Sequence, residues 1–287
     1  MPSLIDLRRR IRSVKNTQQI TKAMKVVSAA KLRRAQDRVI AARPYAQIIQ
    51  RMLANVAQAA SEQNQDEEID LLARRPEKRI LLLVVTADRG LAGAFNSNVI
   101  RTVQKFMGEH RDSEILLELI GRKGREFFKR RHSKITGEYT TLFQKAVRYQ
   151  DALEIARKVI ELFRKAEIDS VYVVGNNFKS MLASLMVTAR LLPVEFPEKQ
   201  EQIDYIYEQP PGELLAALLP RYIESQIYRA MLESDAAQHA ARMTAMEAAS
   251  SNATDVISSL TLRMNRVRQA SITREIIEIV SGAAALD

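Results

Sequence analysis

Cysteine is absent from the 287 residues, which rules out disulfides and thiolate metal ligands. Tryptophan is absent too, and aromatic residues make up 6% against 46% hydrophobic. Apolar content carried by Ala, Leu, Ile, Val and Met suits long helix–helix contact better than a thick sandwich core. Nine Gly and eight Pro supply too little turn chemistry for an all-β fold. No apolar run reaches the ~18 residues of a membrane span, and no secretory n-region and h-region pair is found. The three histidines, His110, His132 and His239, lie far apart with no ligand-like spacing to another His or a carboxylate. They read as scattered surface residues.

What is present is unevenly placed. The formal net charge is +10, and residues 1 to 43 carry all of it, with twelve Lys or Arg against two Asp. A basic patch this local calls for an acidic partner: nucleic acid, anionic lipid or an acidic protein surface. Arg-rich, acid-poor starts also occur in transit peptides. Here the helical pattern runs on past residue 43, so the basic stretch is read as part of the mature fold.

Residues 3 to about 58 read as one long helix. A seam at steps of three and four runs through Leu4, Leu7, Ile11 and Val14, then Leu32, Ala35, Val39, Ala42, Ala46, Ile49, Leu53 and Val56. Between these blocks the strict frame lands on Gln18, Thr21, Lys25 and Ser28. The apolar set slips instead to Ile20, Ala23, Met24 and Val27, as at a coiled-coil stutter. Ser3 before Asp6 predicts an N-cap. Pro44, which lacks a backbone donor, predicts a kink. The polar run 61–70 reads as a linker.

Residues 77–210 read as an α/β domain. Expected strands are Arg79–Val85, Ile115–Ile120, Val171–Val174 and Leu182–Leu192; expected helices are Phe95–Met107, Lys123–Arg131 and Asp151–Lys165. Strands alternating with helices imply a small, Rossmann-like domain with a largely parallel sheet. Residues 212–287 read as helical again, with a seam from Ala236 through Met246, Ala253 and Leu260 to Ala270 at a mean spacing near ~3.5. A helix from Arg221 to Ser281 reaches roughly 90 Å and needs a partner along its length. The first helix, residues 1–60, is the natural one. The expected fold is therefore mixed: a long antiparallel coiled coil of the terminal helices plus the α/β domain.

Catalytic chemistry is hard to find. The loop Thr86–Asn96 joins a strand to a helix, where phosphates often bind. It has neither the Lys-Ser/Thr of a P-loop nor G-x-G-x-x-G, and Gly121-Arg-Lys-Gly124 fails the same tests. Both read as glycines that permit tight turns. Asp88 and Arg89 read as an active pair, a loop ion pair or a helix-start carboxylate.

Three stretches resemble the gamma subunits of F-type ATP synthases. The first is Lys15-x-Thr17-x-x-Ile20-Thr21-Lys22-Ala23-Met24-x-x-Val27; the second runs from Asp88-Arg89-Gly90-Leu91 to Phe95-Asn96. The third holds Arg242-Met243-x-Ala245-Met246, Asn252-Ala253, Asn265-Arg266-x-Arg268-Gln269-Ala270-x-Ile272-Thr273, Glu275-x-x-Glu278 and Gly282-Ala283. Together with the helix, α/β, helix layout, the resemblance covers the whole chain. Two departures stand in the middle loop, where Ala92 replaces the family's usual Cys and Ala94 a Gly. The cysteine-bearing insertion of chloroplast gamma subunits is absent.

The resemblance implies a non-catalytic shaft that needs no cofactor. It would stand inside a ring of three alpha and three beta subunits, with an epsilon subunit and a membrane c-subunit ring at its foot. The lack of a transit peptide favours a bacterium, and with the resemblance this gives an expected peripheral place on the cytoplasmic face of a bacterial plasma membrane. Arg8, Arg9, Arg12, Lys15, Lys22, Lys25 and Arg33 are expected to face acidic beta-subunit surfaces, with a solvated charged face as the plainer reading. Arg266, Arg268, Gln269 and Thr273 are expected to hydrogen-bond beta-subunit loops. The apolar tip Ile276, Ile277 and Val280 is expected in part against a sleeve of the ring and in part within the coil. Two other readings compete. A basic coiled-coil nucleic-acid binder explains the charge but not the α/β domain. An enzyme built on that domain lacks site residues.

Overall fold

The computed structural model describes residues 3–62, 69–131, 134–178, 184–196 and 207–284. The chain forms two compact units: Met1–Ala29 with Arg242–Asp287, and Ala30–Ala241.

Helix α1 spans Leu4–Glu62 and helix α5 spans Pro211–Ala284. The start of α1 is set by Ser3 and Asp6. The Ser3 amide and hydroxyl donate to Asp6 Oδ2 at 3.1 and 2.8 Å, and the Asp6 amide returns a bond to Ser3 Oγ at 3.2 Å. This satisfies the donors a helix start leaves open. The same Ser3 bonds hold the Asp6 carboxyl below its ordinary value. Pro44 lies inside α1 and Pro220 inside α5; the helical assignment is unbroken at both.

In the first unit the α1 seam differs from the expected stutter. The strict frame continues: Leu7, Thr21 and Ser28 are buried, and Gln18 and Lys25 are half-buried. Ile20 and Val27 are 60% and 56% exposed. A heptad seam is normally apolar and tolerates polar residues at a cost in stability; here it passes through Gln18, Thr21, Lys25 and Ser28. In the second unit α1 buries Leu32, Ala35, Val39, Ala46, Ile49, Leu53 and Val56, as its spacing predicts.

The second unit also holds the sheet. Strands β1 (Arg79–Val85), β2 (Glu114–Ile120), β3 (Ile135–Tyr139), β4 (Ser170–Phe178) and β5 (Ser184–Leu192) lie in the order β3-β2-β1-β4-β5. All pairings are parallel except β4 with β5. Leu182, expected in the last strand, lies outside the described residues. Helices α2 (Phe95–Glu109), α3 (Arg122–Phe128) and α4 (Tyr149–Arg164) fill the crossovers. On one sheet face Ile80, Leu82, Val84, Leu117, Leu119 and Val174 pack with Val99, Val103 and Phe106 of α2 and Phe128 of α3. Alternation along a strand sends Leu81, Leu83 and Val85, equally buried, to the other face.

Strand β3 has no counterpart in the sequence reading. Its residues, ITGEY, alternate between half-buried and exposed, and its glycine masks the strand pattern. That glycine has a reason. A Cβ on Gly137 would stand 2.0 Å from Oε1 of Glu118, a fully buried carboxylate bonded by Lys158 Nζ at 2.9 Å and Thr136 Oγ1 at 2.7 Å. Burial, then the Glu118 charge, pushes the nearby Tyr139 phenol well above its ordinary value.

A cavity of about 280 Å³ lies in this unit, lined among others by Asn177, Tyr222, Arg229 and Glu233. Glu233 is 6% exposed. Burial pushes its carboxyl above the ordinary 4.5, against the pull of Arg229, whose Nε donates to it at 3.0 Å. Between the unfolded and folded pKa the native chain holds the extra proton, so stability from this group falls as pH rises above ~4.5. Thermal melts of Glu233→Gln alongside the parent are expected to show the parent losing ground as pH rises from about 4.5, until the folded-state carboxyl has ionised. A difference that does not change as pH rises from about 4.5 would refute it.

Candidate functional site

The loop after β1 is built as a brace. The Thr86 amide donates to Ile120 O at 2.8 Å, and the buried Thr86 hydroxyl accepts from Gly124 N at 2.9 Å. Asp88 is 1% exposed. Its Oδ1 accepts the Arg122 and Thr141 amides at 2.9 and 3.0 Å, and its Oδ2 the Phe143 amide at 2.9 Å. Asn96 Oδ1 takes the Ala87 amide at 2.9 Å. Asp88 is thus committed to three backbone donors from the start of α3 and the segment after β3, while Arg89 is exposed. The active-pair reading fails on this geometry: a carboxylate sealed by three amides has no free face for a substrate.

The histidines also part from expectation. His239 is 6% exposed, not a surface residue, and its Nε2 lies 3.4 Å from Asp235 Oδ1. His110 stacks on Phe106 with ring centroids 4.1 Å apart. His132 lies outside the described residues. Among the described residues no group of three or more His, Asp or Glu is placed to hold a metal ion, and no helix is long and apolar enough to cross a membrane.

Of the basic residues on α1, Arg8, Arg9, Arg12, Lys15, Lys22 and Arg33 are exposed. Arg8, Arg12, Lys15 and Lys22 follow one another at helical steps and form a single stripe beside the seam. Arg9 falls off that stripe. Lys25 stands apart: it is half-buried and paired with Glu247 of α5.

On α5, burial fades toward the end. Ala253 is 8% exposed and buried, whereas Ile276, Ile277, Ile279 and Val280 are 56%, 58%, 71% and 62% exposed. The expectation that part of this tip is coil core is not met within the chain: these side chains have water where a core would have neighbours. Arg266, Arg268, Gln269 and Thr273 are exposed as well. The Thr273 hydroxyl donates to the backbone carbonyl of Gln269 at 2.9 Å.

A surface of this kind, with cations and bare aliphatic side chains on long helices and the loop polar groups spent on the chain's own backbone, belongs to a subunit made for protein contact. Comparison with known proteins gives the class a name. A family model described as ATP synthase matches residues 3–286. The chain is 59% identical over 287 residues to the ATP synthase gamma chain of Solibacter usitatus, covering 100% of both. It is 50% identical over 290 residues to that of Pelotomaculum thermopropionicum, again covering 100% of both. Among solved structures, a chain of the Tetrahymena thermophila mitochondrial ATP synthase central stalk and c-ring matches with a TM-score of 0.60 at 26% identity, over 80% of this chain and 99% of that one. A Euglena gracilis mitochondrial ATP synthase chain matches with a TM-score of 0.68 at 17% identity, over 99% and 94%. The chain belongs to the ATP synthase gamma chain family.

Proposed function

We propose that this chain is the central rotor shaft of an F-type ATP synthase, a non-catalytic subunit that couples ion-driven rotation to conformational change at catalytic sites on the beta subunits. The observation that carries it is the full-length 59% identity to an ATP synthase gamma chain. A chain that touches each of three beta subunits differently favours a different conformation, and so a different nucleotide affinity, in each. Such coupling is reciprocal, so nucleotide turnover also drives the shaft.

The expected partners are three alpha and three beta subunits around α1 and α5, with an epsilon subunit and the membrane c-subunit ring at the foot. The place of work is peripheral, on the cytoplasmic face of a bacterial plasma membrane. Arg8, Arg9, Arg12, Lys15, Lys22 and Arg33 face acidic beta surfaces, while Lys25, counted with them from the sequence, is paired within the chain to Glu247. Arg266, Arg268, Gln269 and Thr273 hydrogen-bond beta loops. Ile276, Ile277 and Val280 enter an apolar sleeve; bare aliphatic side chains of this kind mark contact surfaces.

A tagged copy purified from its source cells is expected to bring down alpha and beta subunits in threefold excess, with Mg-ATPase activity. An eluate without them would overturn the reading. In that complex, Arg268→Ala with Gln269→Ala is expected to lower ATPase turnover about tenfold, as the loss of about 1.4 kcal/mol of hydrogen bonding in the rate-limiting state would. Unchanged turnover would remove both residues from the contact set.

A further inference from the structure

In the first unit the stripe that α1 turns toward α5 is held by unusual means. Among its described residues on α1, Leu7 is the one apolar side chain buried beyond nine-tenths. Thr21 and Ser28 are buried at 8% and 3% exposure, and the Thr21 hydroxyl is spent on its own helix, donating to Gln18 O at 3.0 Å. Two side chains of this stripe, among the described residues, are seen to cross to α5. Gln18 Nε2 donates to Thr254 Oγ1 at 2.7 Å, and Lys25 Nζ pairs with Glu247. The two contacts are one heptad apart on both helices and run in opposite senses, so they report one antiparallel register.

Local opening is easiest where few apolar contacts are buried. In the second unit α1 buries Leu32, Val39, Ile49, Leu53 and Val56 at 5% exposure or less, and opening there must expose them all. Across Val14–Ala29 α1 has no apolar side chain buried to that degree. The buried apolar residues of the facing stretch are Met246 and Ala253 of α5, at 5% and 8% exposure, and the side chains that bridge the helices are polar.

We propose that Gln18–Thr254 and Lys25–Glu247 form a polar latch, and that the stretch they span opens and closes as a local unit whose closed state is weakened by salt. The Lys25–Glu247 pair is the salt-sensitive half, because both side chains touch water, 43% and 56% exposed, where mobile ions screen them.

Hydrogen exchange on the full-length chain, followed by mass spectrometry, tests this. Amides of 15–28 and 244–257 are expected to exchange faster than those of 32–56. Raising salt from ~20 to ~500 mM should speed the first set about two- to fivefold, the range of an exposed ion pair, and leave the second unchanged. Lys25→Ala should show the high-salt rates at low salt and no further response. Lys25→Glu with Glu247→Lys should restore both the slow rates and the salt response. Gln18→Ala, which removes the bond to Thr254, should speed exchange while leaving the salt response in place. Even protection along α1, or a salt response that survives in Lys25→Ala, would overturn the latch. These substitutions sit at water-exposed or half-exposed side chains, and circular dichroism of each variant reports that the helices persist.

Discussion

Gly121→Ala is expected to cost this protein more than about 3 kcal/mol of folding stability. Gly121 sits between β2 and α3 at φ 101° and ψ 143°, backbone space that only glycine enters without strain of about 1–3 kcal/mol. The space is also full. A Cβ there would lie 2.1 Å from the carbonyl oxygen of Thr86 and 2.7 Å from its carbon. These are backbone atoms, and they cannot step aside, because the Thr86 amide and hydroxyl are tied to Ile120 O at 2.8 and 3.2 Å. The two costs add, and against a typical total of 5–15 kcal/mol the loss unfolds a large share of the chains. Gly108→Ala is the matched control. It lies in α2 with nothing within 4 Å of the added carbon, so it is expected to gain roughly 0.5–1 kcal/mol from helix propensity. Urea unfolding of the two variants beside the parent checks both signs. A Gly121→Ala midpoint within 1 kcal/mol of the parent would mean that this junction yields, and that the loop after β1 is not fixed by it.

Sequence spacing showed the elements whose signal is local. The apolar run Arg79–Val85 and the amphipathic row Ile155, Val159 and Phe163, all buried, carry their own periodicity and needed no distant partner to be read. The misses share a different physics. The length of the last helix was reckoned from Arg221, yet α5 begins at Pro211 and includes Pro220. The seam across Gln18–Ser28 was read by where apolar residues fall, while geometry kept the helical stripe constant. Ile20 and Val27 are apolar for some reason other than packing inside this chain. β3 and the polar end of β4, Gly175–Asn177, were hidden because their reasons are tertiary: a glycine that makes room for a buried carboxylate, and asparagines in a ladder. The proposed contact residues at the two chain ends rest on the resemblance and, for the basic set, on the charge gathered in residues 1 to 43.

Asp88 shows the same division at a single residue, and its removal is the second large effect. From the sequence it was one of several local possibilities beside Arg89. Its partners lie 34 to 55 residues away, beyond any window of periodicity. Asp88→Ala strips the only side-chain acceptor these bonds assign to the amides of Arg122, Thr141 and Phe143, one of them in a buried bond and two in partly buried ones. An unsatisfied buried donor costs about 1–3 kcal/mol, and partial access to water discounts two of the three. The expected loss is about 3–5 kcal/mol. Asp88→Asn keeps the shape and one acceptor oxygen but turns an NH2 toward at least one donor, so about half that loss is expected. Urea midpoints order the three proteins as parent, Asn, Ala. Exchange at residues 141–143 should rise in the same order, since that segment follows β3 and Asp88 accepts two of its amides. If Asp88→Ala folds as stably as the parent while the assembled complex loses ATPase activity, the brace reading is wrong and the loop faces a partner. The combination expected here is instability of the chain with ATPase activity retained in whatever fraction still assembles.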